Sequence, residues 1–348
     1  MLCGMTKIQK TMRQAKITPE EALEALKKEG SLRKAAKYLG VSHSAVQRAL
    51  AKIKESDVEI DDVPDEARDV GTIWAEREKQ FAQRKSYIDI KNHLKARIKI
   101  DGPVGILHFG DPHLDNLGTD VFQLREHADI VRKTKGMFAV NIGDTTDNWV
   151  GRLKRKYENT PVSKREGLLL AEDFIRSLMG KWLVTIGGNH DEWSGVDNPL
   201  AWWHANMGEY YSSHEAFLEL MFPNGKSVTA LWRHKWRGNS MWNTVHAISR
   251  AAQRGFAYDM LLGGHTHVSG YAMIPHPRNE KITHCIQIAS YKLYDDYATQ
   301  EGFEDRHISP AVVTVIDPYA TKEINLVTVF HDPEAGADYL NFLRRKFK

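Results

Sequence analysis

The chain has 348 residues, 42% hydrophobic and 27% charged, with a formal net charge of +3 at pH 7. This composition supplies ample apolar material for a buried core and excludes a disordered, collagen-like or disulfide-scaffold protein, and the length suits more than one folded unit. No apolar run reaches the roughly 18–20 residues of a membrane span, the N-terminus lacks the apolar stretch of a secretory signal, and the only cysteines, Cys3 and Cys285, suggest no bridge, so a cytoplasmic protein without membrane contact is expected.

Charge is unevenly distributed. Residues 1–56 hold 12 Lys and Arg against 5 Asp and Glu, whereas residues 57–70 hold 7 acids against one Arg. A basic head, an acidic solvated strip and a nearly neutral body form a modular layout. The expected units are a head over 1–56, an acidic linker and connecting helix packed on the body over 57–96, and a body over 97–348.

In the head, Thr18-Pro19-Glu20-Glu21 predicts a capped helix start, Ala22, Leu23 and Leu26 an apolar face, and Gly30 a stop. Ser31 starts a second helix through Leu39, and Ser42 a third, with Ala45, Val46, Ala49, Leu50 and Ile53 at helical spacing. The spacing Ala36, Gly40, Val41, Val46 resembles helix-turn-helix DNA-binding units, in which small residues let two helices cross closely. The resemblance implies that the third helix enters a major groove. Ser44, Gln47 and Arg48 would then face base edges, and Lys52 and Lys54 phosphates, with a homodimer supplying useful specificity.

From residue 97 a different grammar repeats: a short apolar or β-branched run, then a loop rich in Asp, His, Asn and Gly. Val104–His108 leads into Gly110-Asp111-Pro112-His113, and Met137–Ile142 into Gly143-Asp144-Thr145-Thr146-Asp147-Asn148. Trp182–Ile186 leads into Gly187-Gly188-Asn189-His190-Asp191, Val228–Trp232 into Arg233-His234, and Tyr258–Leu262 into Gly263-Gly264-His265-Thr266-His267. Each predicted strand delivers oxygen or imidazole donors from its carboxyl end, where open α/β sheets bind ligands.

The ordered blocks D-x-H, G-D-x-x-D, G-N-H-D, a lone His and G-H-x-H resemble the calcineurin-like metallophosphoesterase superfamily. The resemblance covers residues 111–267 and implies a four-layer αββα sandwich following the small all-α head. It also implies two divalent cations, which neutralise a phosphoester and acidify an attacking water. By resemblance, Asp111, His113, Asp144 and His267 hold the first metal, and Asp144, Asn189, His234 and His265 the second. His190 acts on the scissile phosphate or its leaving oxygen, and Asp147 orients and supports it. His214 and His246 are rivals to His234, which is favoured because it directly follows a predicted strand. The mixed N/O donors suit manganese, with iron, zinc, nickel or cobalt as alternatives.

Phosphoprotein phosphatases of the superfamily carry Arg directly after G-D-x-x-D. Here Asn148 stands there, so a guanidinium fork for a terminal phosphate is missing. With the basic head, this favours a phosphodiesterase or nuclease acting on DNA, similar to SbcD-type nucleases in core motifs only. The alternatives are a phosphomonoesterase acting on protein or small molecules, targeted or regulated by the head, and a non-catalytic DNA-binding regulator. Trp193 and Trp236, each near a motif residue, are candidate stacking residues; the other tryptophans between the third and fifth blocks are expected in the core or a lid.

Overall fold

The computed structural model describes residues 17–52, 69–160, 162–278, 280–294 and 308–347. Cys3, Ile53, Lys54 and the acidic strip up to Arg68 lie outside them. The chain divides between Glu76 and Arg77 into two units.

The first unit contains helices α1 (Pro19–Glu29), α2 (Leu32–Tyr38) and α3 (His43–Leu50). The Thr18 hydroxyl accepts from the Glu21 amide while the Glu21 carboxylate accepts from the Thr18 amide, a reciprocal cap that satisfies two otherwise unpaired donors. Ser31 and Ser42 cap the next two helices. The core is built from small side chains (Ala22, Ala25, Ala35, Ala36, Val46 and Ala49), which permit short interhelical distances. Ser44, Gln47, Arg48 and Lys52 are exposed.

Helix α4 (Val70–Lys91) spans the division and has no buried residue. A helix thus stands where the connecting helix is expected. At its end Lys91 Nζ donates to the Ser213 carbonyl at 3.4 Å.

In chain order, the body's strands are β1 (Lys95–Arg97), β2 (Val104–Phe109), β3 (Met137–Asn141), β4 (Trp182–Gly187), β5 (Tyr211–Ser213) and β6 (Glu215–Met221). They continue with β7 (Ser227–Arg233), β8 (Met260–Gly263), β9 (Gly270–His276), β10 (Lys281–Gln287), β11 (Ala311–Ile316) and β12 (Val327–Phe330). One six-stranded sheet has the order β12-β11-β2-β3-β4-β5, the other β1-β6-β7-β8-β10-β9. β2 to β5 are mutually parallel, as are β7 and β8; β11 and β12 extend the first sheet antiparallel. β2 is buried on both faces and reads as an apolar run broken only by His108, whereas β6 alternates buried and half-buried positions.

Alternation along the strands creates the layers. Ile106, Val140, Val184 and Ile186 of the first sheet meet Leu218, Ala230, Trp232 and Leu262 of the second. Their neighbours Leu107, Phe109, Ala139 and Trp182 face outward, against helices α5 (Val121–Lys133), α6 (Lys164–Ser177), α8 (Pro199–Met207) and α10 (Pro333–Phe347). Helix α9 (His246–Gln253) covers the other sheet through Ala247, Ile248 and Ala252 against Leu231, Leu261 and Cys285. Burial of each large aliphatic in these layers contributes about 1.5–3 kcal/mol. The result is the αββα sandwich expected from the sequence. One polar link crosses the middle layer: Trp232 Nε1 donates to His108 Nδ1 at 3.1 Å, and His108 Nε2 donates to Thr314 Oγ1 at 2.9 Å.

The parallel strands bring their carboxyl ends to one edge. Register pairs Phe109 with Asn141 and Asn141 with Thr185 in the first sheet, and Arg233 with Gly263 in the second. The loops carrying the five motif blocks therefore converge.

Candidate metal centre

The loop after β2 places Asp111 and His113, and the loop after β3 places Asp144 and Asp147. Helix α7 (Asn189–Glu192), which starts directly after β4, carries Asn189 and His190. His234 follows β7, and His265 and His267 follow β8. Three groups of donors assemble: Asp111, His113 and His267; Asp144, His234 and His265; and His113, Asp147 and His190. His214 and His246 are exposed and lie outside these groups.

His234 stands at the middle of the second group. Its Nδ1 donates to the Ile142 carbonyl at 3.1 Å, which fixes the tautomer and turns Nε2 inward. That Nε2 lies 3.2 Å from Asp144 Oδ2, 3.0 Å from Asn189 Oδ1 and 3.2 Å from His265 Nδ1. Four potential ligand atoms thus converge, a set that a cation satisfies once the imidazoles are neutral. In the first group, His267 Nε2 is 3.3 Å from Asp111 Oδ2. The buried His113 Nε2 and Asp111 Oδ1 have no hydrogen-bond partner among the described residues, as expected of atoms that wait for a metal. Asp144 Oδ2 lies between the groups, 4.0 Å from His113 Nε2 on its other side. Both donor sets therefore fit divalent cations, with Asp144 placed to be shared.

The backbone records the same convergence. His113, Asp144, His265 and His267 all have positive φ, between 41° and 69°. Non-glycine residues held in the left-handed region are strained and concentrate where surrounding structure imposes a function. Glycine is required beside them: at Gly188 a Cβ would collide with Asp144, and at Gly264 with Asp111.

The loops support one another directly. The Asp111 carboxylate accepts from the His265 amide at 2.7 Å, and the Asp111 carbonyl accepts from Ser290 Oγ at 2.7 Å. The Asp144 carboxylate accepts from the His190 amide at 2.9 Å. Asp191 accepts from the Gly188 and Thr145 amides and ties the loops after β3 and β4 together.

The expectation for Asp147 needs a correction of geometry. Its carboxylate is directed at His113 Nδ1, 2.8 Å away, and accepts from Asn116 Nδ2 at 2.6 Å. His190 is held instead by the Asp147 carbonyl, which accepts from His190 Nδ1 at 2.5 Å. His190 Nε2 then faces Asp144 Oδ2 from 4.0 Å. Motif spacing places Asp147 near both histidines but does not say which of its oxygens serves each. Asp115 was not singled out in the sequence; its carboxylate accepts from the Asp147 amide at 2.6 Å. The available signal was its position two residues after His113.

Electrostatics follow from this crowding. Burial alone would raise the Asp144 carboxyl, but the His234, His190 and His113 imidazoles hold it well below the usual carboxylate range. Burial opposes ionisation of Asp111 and Asp147 too; His267 and His234 outweigh it for the first, and His113 for the second. His113 and His234, which burial would lower, are raised to about 9, by Asp147 with Asp144 and by Asp144 with Asp111 respectively. Burial lowers His265 to about 4 and, with the Asp144 charge, pushes Asp191 up to about 7. Without a cation, protons on His113 and His234 offset the Asp144 and Asp147 carboxylates, and a bound cation would take the place of those protons.

Two indole rings flank His190. Trp193 lies 4.2 Å away between centroids, and Trp149 5.1 Å away in an edge arrangement. Trp149, directly after Asn148, carried no signal beyond that adjacency. Trp236 is a core residue: it is buried, and its Nε1 donates to the Leu262 carbonyl at 2.8 Å. Asn148 donates to the His190 carbonyl at 2.6 Å and to Ser194 Oγ at 3.0 Å, so its amide braces the His190 helix.

No protein-family model matches the sequence, and no curated protein matches it. Among solved structures, the chain is similar to Vps29 complexed with zinc from Entamoeba histolytica, at 13% identity and a TM-score of 0.35, over 65% of this chain and 97% of that one. It is also similar to the calcineurin-like phosphoesterase YfkN of Bacillus subtilis, at 11% identity and a TM-score of 0.31, over 70% and 99%. The NAD nucleotidase NadN of Haemophilus influenzae follows at 8% identity and a TM-score of 0.33, over 66% of this chain and 49% of that one, so the match spans about half of NadN. The architecture and the order of the site-bearing loops are those implied by the motif resemblance to calcineurin-like metallophosphoesterases.

Proposed function

We propose that the chain is a dinuclear-metal-dependent phosphoester hydrolase, and specifically a phosphodiesterase that cleaves DNA. The observation that carries the proposal is the position of Asp144 between two groups of buried and half-buried donors, with His190 facing it. Asp111, His113, Asp144 and His267 would hold one cation, and Asp144, Asn189, His234 and His265 the other. When bound, such a pair supplies positive charge to the phosphate oxygens and acidifies the attacking water.

The remaining steps belong to the protein. His190 is locked at Nδ1 by the Asp147 carbonyl, which leaves Nε2 for the reacting phosphate. Burial lowers His190 below the usual histidine range, so Nε2 would carry a proton to the leaving oxygen only where the charge of the bound phosphate favours the imidazolium. Trp149 and Trp193 pack against the ring and restrict its plane. Asn148, with its amide engaged by the His190 helix, offers no guanidinium to a terminal dianion, which supports a diester over a monoester. The exposed Ser44, Gln47, Arg48 and Lys52 support DNA recognition by the first unit, with manganese as the metal for assay and a homodimer as the reading species.

The test is hydrolysis of labelled linear duplex, single-stranded and closed circular DNA with Mn²⁺, beside an Asp144→Ala control. Cleavage lost in the control supports the proposal. Hydrolysis of p-nitrophenyl phosphate in preference to its bis-ester, with no DNA cut, would replace it with a phosphomonoesterase.

A further inference from the structure

We propose that Trp193, backed by Trp149, forms a stacking face for one nucleobase of a single-stranded or locally opened polynucleotide whose adjoining phosphodiester lies at the metal centre. This inference rests on the phosphodiesterase reading and adds the form of strand that is bound. The two indoles lie 6.2 Å apart at 36° and bracket His190, whose own distances are 4.2 Å to Trp193 and 5.1 Å to Trp149. Their exposures differ. Trp149 is buried at 8%, whereas Trp193 keeps 37% of its surface open to solvent.

A tryptophan that only supported a histidine would gain most from complete burial. An open indole beside the residue that faces the phosphate is instead placed within one nucleotide of the scissile bond. Every base offers a π face, but in a duplex those faces are covered by their neighbours, so such a platform selects unstacked bases.

The surroundings suit a polyanion. Two residues beyond Trp149, the 3₁₀ segment Gly151–Asn159 exposes Arg152, Lys154 and Arg155. Lys156 places its Nζ 4.5 Å from the Trp149 ring centroid, bringing cationic charge to the back of the platform. A basic segment beside stacking aromatics is the combination by which single strands are held without base-specific hydrogen bonds.

The experiment uses the full chain with Mn²⁺ and single-stranded oligonucleotides in which one base at a time is replaced by an abasic site. The base dependence of kcat/KM is compared among wild type, Trp193→Ala and Trp193→Phe. The wild type should lose about tenfold at one position relative to the cleaved bond, the scale of one stacked base. Trp193→Ala should reduce that discrimination below about twofold, whatever its absolute rate, and Trp193→Phe should restore most of it. Uniform slowing by Trp193→Ala with discrimination intact would show that Trp193 only packs against His190, and would overturn the inference. A wild type that cuts oligonucleotides without sensitivity to abasic sites overturns this inference alone. A wild type that hydrolyses bis-p-nitrophenyl phosphate but cuts no oligonucleotide overturns the DNA-cleaving reading as well.

Discussion

The Asp147 carboxylate lies 2.8 Å from His113 Nδ1, while His190 is held by the Asp147 carbonyl. The acid closing the second motif block thus orients a candidate metal ligand with its side chain and a candidate proton donor with its backbone. A carboxylate on the far nitrogen of a ligating histidine fixes its orientation and raises its basicity.

Asp147→Asn should therefore act through the metal. Apparent metal affinity should fall about 10–100-fold, as is typical when such an outer partner is changed. Saturating Mn²⁺ should recover most of the activity, because the backbone carbonyl that holds His190 remains. Metal titration of activity checks this. A loss of turnover that persists at saturation would mean the carboxylate acts on His190 after all.

His190→Ala should retain bound metal yet lose about 10²–10⁴-fold in turnover, the usual contribution of a positioned proton donor. Metal content of the dialysed protein and kcat at saturating substrate are the paired readouts. Metal loss would reassign His190 as a ligand.

Metal binding should stabilise the body, since the converging donors exist only in the folded state. At a metal concentration of a hundred times Kd, each site adds about 2.7 kcal/mol. Asp144→Ala removes the shared donor and should abolish most of the Mn²⁺-dependent rise in Tm. An unchanged rise would place the bound metal elsewhere.

Acid stability should be limited by histidines kept neutral by burial. His108 is lowered to about 3, and His127, His265 and His284 each to about 4. Unfolding restores a value near 6.5, so between pH 6.5 and about 4.5 the unfolded chain binds protons that the folded chain does not. Stability then falls as pH falls, by about 1.4 kcal/mol per pH unit for each such group at the full slope. His113 and His234 have the opposite sign, and their contribution is fully present below pH 6.5 and lost as pH rises through about 9. Denaturant titrations in EDTA at pH 6.5, 5.5 and 4.5 test the acid limb, and His108→Gln should flatten it.

In the first unit, Lys52→Ala should weaken duplex binding similarly across sequences and reduce the salt slope by about one, as expected for a lost phosphate contact. Arg48→Ala should instead relax preference at particular bases. If deleting residues 1–56 leaves affinity for duplex DNA unchanged, this unit is not the DNA reader.

Much of the centre was legible in the chain because its chemistry is local. Each donor block directly follows a strand, and a strand buried on both faces is mostly apolar, as β2 is apart from His108. The helix caps at Thr18 and Ser42 were readable because a cap is satisfied within four residues. β1, β5, β6 and β9 were not anticipated. They are short, edge-placed or alternating strands whose identity depends on a neighbour, as where β1 pairs with β6.

The sequence by itself determined the order of the donor blocks and the strand ends that carry them. Only the tertiary structure decided which oxygen of Asp147 serves which histidine, that Asp144 stands between two donor groups, and that Trp236 is core while Trp193 stays open beside His190. The physical reason is distance along the chain. Asp111 and His265, joined by a 2.7 Å hydrogen bond, are brought together by two sheets whose facing residues pack across the middle of the molecule, and local spacing does not encode such contacts.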